Sequence, residues 1–151
     1  MKKVVITSGF FNPVHIGHMN LMEEAKKLGD FLVVIVNNDE QVKLKGSIPF
    51  MPEEERMRII KALKYVDEVV LSVDSYVDGK EVPIPKSLKM VAQTYPGELI
   101  FAKGGDRHIG NIPDAERKVC EDFNIKVVSN VGGGKVQSSS WLISSALKEK
   151  Q

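Results

Sequence analysis

Phe31-Leu32-Val33-Val34-Ile35-Val36 is an unbroken apolar run, mostly β-branched. Such a run leaves no face for water, so it reads as a strand covered on both sides. Four other stretches read as strands: Val4-Val5-Ile6, Val66 to Leu71, Leu99 to Ala102 and Ile125 to Val128. Helical spacing fills the intervals. Met19 to Leu28 is amphipathic, and Met57, Ile60 and Leu63 follow Pro52 with Glu53, Glu54 and Glu55 in the first turn. Leu88, Val91, Ala92 and Tyr95 form a third set, and Ala115, Val119 and Phe123 follow Pro113. Leu142, Ile143, Ala146 and Leu147 close the chain. Proline at a helix start and acids in the first turn both suit the helix dipole. Five rounds of strand then helix predict an α/β fold. The expected form is a single Rossmann-like domain over residues 1–151, with a five-stranded parallel sheet and helices on both faces.

A chain of 151 residues is long enough for one domain with a substantial core. Gly132-Gly133-Gly134 is too short for a domain linker. Lys plus Arg number 21 against 20 Asp plus Glu, a net charge of +1, which gives no electrostatic case for a nucleic-acid partner. The lone Cys120 has no partner for an internal disulfide and reads as a small buried residue. The apolar run after the first lysines is too short for a signal peptide or a membrane span. A cytoplasmic protein without a membrane partner is the expectation.

In an open parallel sheet, ligands bind beyond the carboxyl ends of the strands. The residues expected there are chemically alike. Between strand one and helix one lie Gly9, Asn12, His15 and His18. Strand two is followed by Asn38, Asp39, Lys43 and Lys45, and strand four by Lys103-Gly104-Gly105-Asp106-Arg107. After strand five come three glycines, Lys135 and Ser138-Ser139-Ser140 at a helix start. Glycines admit a ligand to the backbone, cations neutralise it, and helix starts favour anions. The set reads as a phosphate cradle. It contains no nucleophile elbow and no Cys/His metal spacing. Each feature also has a plainer reading. The histidines and serines can be helix caps, Arg56 can pair with a neighbouring Glu on a helix surface, and Trp141 can pack in the core or stack on a base. The long connection Ser72 to Pro85 reads as a substrate loop or a surface excursion.

Gly9-Phe10-Phe11-Asn12-Pro13-Val14-His15-Ile16-Gly17-His18 resembles the HxGH signature of the nucleotidyltransferase superfamily. Val36-Asn37-Asn38-Asp39 with Lys45-Gly46, Glu55-Arg56-Met57-Arg58, and Tyr65-Val66-Asp67-Glu68-Val69-Val70 are similar to the cytidylyltransferase-like branch. Lys103-Gly104-Gly105-Asp106 and Ser138-Ser139-Ser140-Trp141-Leu142-Ile143 most resemble the adenylyltransferase domain of ADP-heptose synthases, and glycerol-3-phosphate cytidylyltransferases share most of the other motifs. Asn12-Pro13 stands where those two branches usually carry Asp. It is similar instead to nicotinate and nicotinamide mononucleotide adenylyltransferases.

The resemblance implies transfer of a nucleoside monophosphate, AMP before CMP, from ATP or CTP to a phosphorylated small molecule such as a sugar phosphate, with release of pyrophosphate. It implies catalytic roles for His15, His18 and Lys45. Gly9, Phe10, Phe11, Gly17, Lys103, Gly104, Gly105, Asp106, Ser138, Ser139 and Ser140 would bind the nucleotide. Asn12, Asp39, Lys43 and Arg56 would bind the acceptor. Mg²⁺ is expected with the triphosphate, held mainly by phosphates and water and by no protein metal site. By analogy a homodimer is the expected assembly. The alternatives are a cytidylyltransferase for glycerol phosphate or a similar polyol phosphate, a mononucleotide adenylyltransferase, and a nucleotide-binding module without turnover.

Overall fold

The computed structural model describes residues 2–105, 107, 109–134 and 137–149. Its centre is β1 (Lys3–Gly9), flanked on one side by β2 (Phe31–Val36) and on the other by β4 (Glu98–Ala102). β3 (Glu68–Leu71) and β5 (Lys126–Val128) lie at the two edges, giving the order β3-β2-β1-β4-β5, all parallel. The chain therefore winds outward first to one side of β1 and then to the other. A crevice opens where that direction reverses, at the carboxyl ends of β1 and β4.

Alternate residues of the strands feed two cores. Val4, Ile6, Val33, Ile35 and Phe101 pack with Leu88 and Val91 of α4 (Pro85–Thr94) and Val119 and Cys120 of α5 (Asp114–Asp122). Val5, Leu32, Val34, Val36 and Ile100 pack with Met22 and Ala25 of α1 (Ile16–Lys26) and Ile60 of α3 (Glu53–Lys61). The unbroken apolar run of β2 follows from this, because both of its faces are covered. Burial pushes the Cys120 thiol up to about 11, so it stays protonated and inert, as a small core residue should.

Three elements differ from the sequence expectation. The stretch after β2, expected to be a polar connection, begins with a short helix, α2 (Asp39–Leu44). Asn38 caps it by accepting from Gln41 N–H, and Gln41 returns a bond to Asn38 N–H. That reciprocal pair is a capping box, and the Asn-x-x-Gln spacing was the available signal. The first helix starts at Ile16 rather than Met19, so its start lies inside the histidine motif. The last helix, α6 (Ser139–Glu149), has the expected position but not the expected burial. Trp141, Leu142 and Leu147 are exposed, which rules out core packing for Trp141. No helix among the described residues is long and apolar enough to cross a membrane.

Candidate active site

His15 is the N-cap of α1 and His18 is the third residue of its first turn. His15 Nδ1 accepts from Gly17 N–H at 3.0 Å, and His18 Nδ1 accepts from His15 N–H at 3.2 Å. An Nδ1 that accepts is unprotonated, so the proton of each neutral ring resides on Nε2. The rings stack at 3.7 Å between centroids and 24° between planes. Burial, reinforced by the adjacent His15, holds His18 down to about 3, so it is a neutral donor at physiological pH. Capping uses Nδ1 of both rings and leaves the ring proton on Nε2, so a cap and a ligand-facing role are compatible in the same residue. The N–H groups of His15 and Gly17 are spent on the imidazoles, so what α1 offers an anion at its start is chiefly Nε2–H.

Gly17 is required by this stack. A Cβ there would lie 2.9 Å from His15 Cε1. Phe11, expected to touch the nucleotide, is instead fully buried with φ of 53°. Its ring meets His18 edge-on at 4.8 Å, so it supports the imidazole from the core side.

Three cavities among the described residues lie around the carboxyl end of β1. The first, of about 220 Å³, is lined by His15, Gly17, His18, Gly104, Gly105, the triple glycine and Gln137. Gly132 there has φ of 88°, and a Cβ would meet Leu21 N of α1 at 2.9 Å, so only glycine brings this loop against the helix. The second, of about 320 Å³, is lined by Phe10, Asn12, Lys45, Ser139 and Ser140 among others. Lys45 Nζ sits 4.2 Å from the Phe10 ring centroid, a cation–π contact that tethers the lysine over the site. Ser139 Oγ donates to Pro13 O at 3.0 Å, tying α6 to the histidine turn. Ser138 lines neither cavity. Its Oγ accepts from Trp141 N–H and caps α6.

The third cavity, of about 310 Å³, reaches Gly9, Phe10, Lys103, Arg107 and Glu116. Lys103 was expected beside Gly104 and Gly105. Its side chain turns here instead, with Nζ 4.4 Å from the Phe101 ring centroid. Glu116 and Glu81, unforeseen from the sequence, also line it, as do Val82 and Ile84 from the long connection after β3. That connection is strapped down at both ends. Asn38 Nδ2 donates to Ser72 O and Asp74 O, and Asp74 accepts from Lys86 N–H and Ser87 N–H at the start of α4. Burial raises the Glu116 carboxyl above the usual range and lowers the Lys103 ammonium below it. Glu116 falls on the apolar stripe of α5 with Val119 and Cys120, three and four residues on. A carboxylate on that stripe was the sequence signal.

The acceptor residues need the largest correction. Arg56 is fully buried. Its Nη1 donates to Phe10 O at 2.7 Å and Asn37 O at 2.6 Å, Nε to Met51 O at 2.8 Å, and Nη2 to Asp39 Oδ1 at 2.7 Å. Its partners are main-chain carbonyls and the Asp39 carboxylate rather than a neighbouring Glu. It clamps the ends of β1 and β2, and Asp39 is its counter-ion. Asn12 is occupied likewise: Nδ2 donates to Ile48 O and Oδ1 accepts from Met51 N–H. Lys43 lies exposed on α2 and lines none of the three cavities. Asp106, His108 and Lys135 fall outside the described residues. Among the described residues, no three His, Cys, Asp or Glu side chains gather as a metal site.

Residues 6–139 match the family model described as cytidylyltransferase-like. The chain is 45% identical over 108 residues to a protein named FAD synthase from Ferroglobus placidus, covering 72% of this chain and 62% of that one. It is 35% identical over 134 residues to the bifunctional protein HldE of Koribacter versatilis, covering 87% of this chain and 25% of that one. In both cases the match spans less than two thirds of the relative's length. Among solved structures, a lipopolysaccharide core biosynthesis protein from Thermoplasma volcanium superposes with a TM-score of 0.63 at 28% identity, over 85% of this chain and 96% of that one.

Proposed function

The chain belongs to the cytidylyltransferase-like family, and from that premise we propose that it transfers AMP from ATP to a phosphorylated small molecule. An oxygen of the acceptor phosphate attacks the α-phosphorus. A new P–O bond forms, the bond from that phosphorus to the bridging β-oxygen breaks, and pyrophosphate leaves. The attacking oxygen is already anionic near neutral pH, so the protein's work is positioning and charge stabilisation. His15 and His18 donate through Nε2–H to the triphosphate. Lys45 balances charge from across the second cavity, and Ser139 and Ser140 close over the leaving phosphates. ATP enters as its Mg²⁺ complex, with the ion carried by phosphates and water.

The observation that carries this reading is the pair of stacked imidazoles with fixed tautomers. They share a cavity with the glycine corner after β4 and are tied through Pro13 and Ser139 to the lysine-bearing loop. FMN is the acceptor that the relative named FAD synthase points to, because FAD is AMP joined to FMN through a pyrophosphate bridge. A sugar phosphate is the second reading, supported by the lipopolysaccharide core biosynthesis neighbour. One screen separates them: pyrophosphate release from each of four nucleoside triphosphates, offered with FMN, sugar phosphates, glycerol 3-phosphate and mononucleotides. ATP with FMN should give release. His18→Ala should lower the rate about 100- to 1,000-fold while the chain stays folded. Binding without pyrophosphate under any pairing would make this a nucleotide-binding module.

A further inference from the structure

We infer that Glu116 and Lys103 read the head group of the phosphorylated acceptor, and that they select a ring edge pairing an N–H with a neighbouring carbonyl, as in a flavin or another cyclic imide. This rests on the transfer reading for the identity of the bound molecule, but the observation behind it is independent. Glu116 is 4% exposed, and its Oε2 accepts from Ile84 N–H at 3.1 Å. Its Oε1 is buried and has no hydrogen-bond partner among the described residues. A buried oxygen left unpaired costs folding free energy, and buried polar atoms are otherwise almost always satisfied. An apolar residue at this point of the α5 stripe would serve the core better. The carboxylate is therefore a liability for the fold that a donor from outside the chain would relieve.

The rest of the cavity says what kind of donor. Lys103 brings a cation to the same space, whereas the Arg107 guanidinium is already engaged by Glu81 at 2.9 Å. A carboxylate oxygen and an ammonium in one cavity match a ligand edge that offers N–H beside C=O. Phe10, Val82 and Ile84 supply apolar wall, which suits a flat ring better than a chain of hydroxyls. Phe10 lines both this cavity and the second one, which places the two side by side at the end of β1.

The test uses FMN and its N3-methyl analogue, which lacks the imide N–H. Binding is read by quenching of flavin fluorescence without ATP. Wild-type protein should bind FMN about 30-fold or more tighter than the analogue, as expected where a buried acceptor is left unpaired or crowded. Glu116→Ala should weaken FMN about 10- to 100-fold and shrink the preference to within about threefold. Glu116→Gln keeps the volume but offers one acceptor oxygen to two donors, Ile84 N–H and the imide N–H, so it should recover little of the FMN binding. In turnover, the loss should fall on KM for FMN and leave KM for ATP unchanged. Equal binding of the two flavins by wild type overturns the inference. So does a folded Glu116→Ala protein, checked by its melting curve, that keeps the preference. Pyrophosphate release only with acceptors that carry no such ring overturns it too, while leaving AMP transfer standing. Glu116-dependent flavin binding without pyrophosphate from any acceptor does the reverse, retaining the subsite and removing the transfer reading.

Discussion

His15 and His18 show how a residue can build a local structure with one ring nitrogen and keep the other as a donor. Each spends Nδ1 on a main-chain N–H and thereby fixes its remaining proton on Nε2. The stack would be repulsive if both rings were charged, and burial disfavours charge on His18 further, so its pKa falls to about 3. The consequence for stability has a definite sign. Between about 6.5 and about 3 the unfolded chain binds a proton at this residue that the folded chain does not, so stability falls as pH falls through that window. By pH 5 the contribution amounts to roughly 2 kcal/mol. Urea unfolding at pH 7 and pH 5 should therefore show a larger acid loss in wild type than in His18→Gln. Equal losses would mean that the folded ring takes up its proton as readily as the unfolded one and is not held neutral by its surroundings. Across pH 6 to 8 this ring adds no ionisation of its own to the rate profile. Gly17→Ala should disturb the same stack, because the new methyl displaces the His15 ring. Its effect should appear in turnover well before it appears in the melting temperature.

At the scale of elements, Arg56 on α3 joins the ends of β1 and β2. Phe10 O, Asn37 O and Met51 O lie at the tips of separate segments, and one guanidinium satisfies all three along with Asp39. Arg56→Met leaves those carbonyls and a carboxylate without a donor, and should cost about 3–5 kcal/mol in a denaturant titration. Arg56→Lys should fare little better, since an ammonium cannot span the fork. A loss confined to acceptor KM with full stability would restore Arg56 to the ligand site. This is also where the sequence was least informative. The strands and their order of alternation were legible because burial on both faces leaves a one-dimensional trace, as in Phe31 to Val36. That the histidine turn, the glycine corner and the serine turn would gather at one sheet edge was legible because each follows the carboxyl end of a strand. Arg56, Asn12 and Lys103 were misplaced because the partner of a long or polar side chain is a matter of three-dimensional reach. Nothing in Arg56's neighbours along the chain announces the carbonyls of Phe10 and Asn37, which come from two other segments. Glu116 was missed for a related reason: its unpaired oxygen exists only once α5 lies against the sheet.

For the whole molecule, the sheet and the ligand-facing edge differ in how firmly they are held. β1, β2 and β4 sit between two packed cores, whereas α6 exposes Trp141 at 49% along with Leu142 and Leu147. What fastens α6 at its start is the Ser139 bond to Pro13 and the Ser138 cap. The proposed nucleotide site thus draws part of its lining from the least embedded helix, which is where local opening has the lowest free energy. Binding that engages both α6 and the 45–47 loop must then stabilise them together. With ATP at about ten times its dissociation constant, amides in the first turn of α6 and at residues 45–47 should exchange about tenfold more slowly. Interior amides of β1 and β2, which open only on global unfolding, should slow by a similar factor through the same linkage. Amides at the tip of the 78–81 bridge, which closes no part of the first two cavities, should not change. Protection of the histidine turn without α6 would remove Ser139 and Ser140 from the triphosphate. Closure over the leaving phosphates would then have to come from the lysine-bearing loop alone.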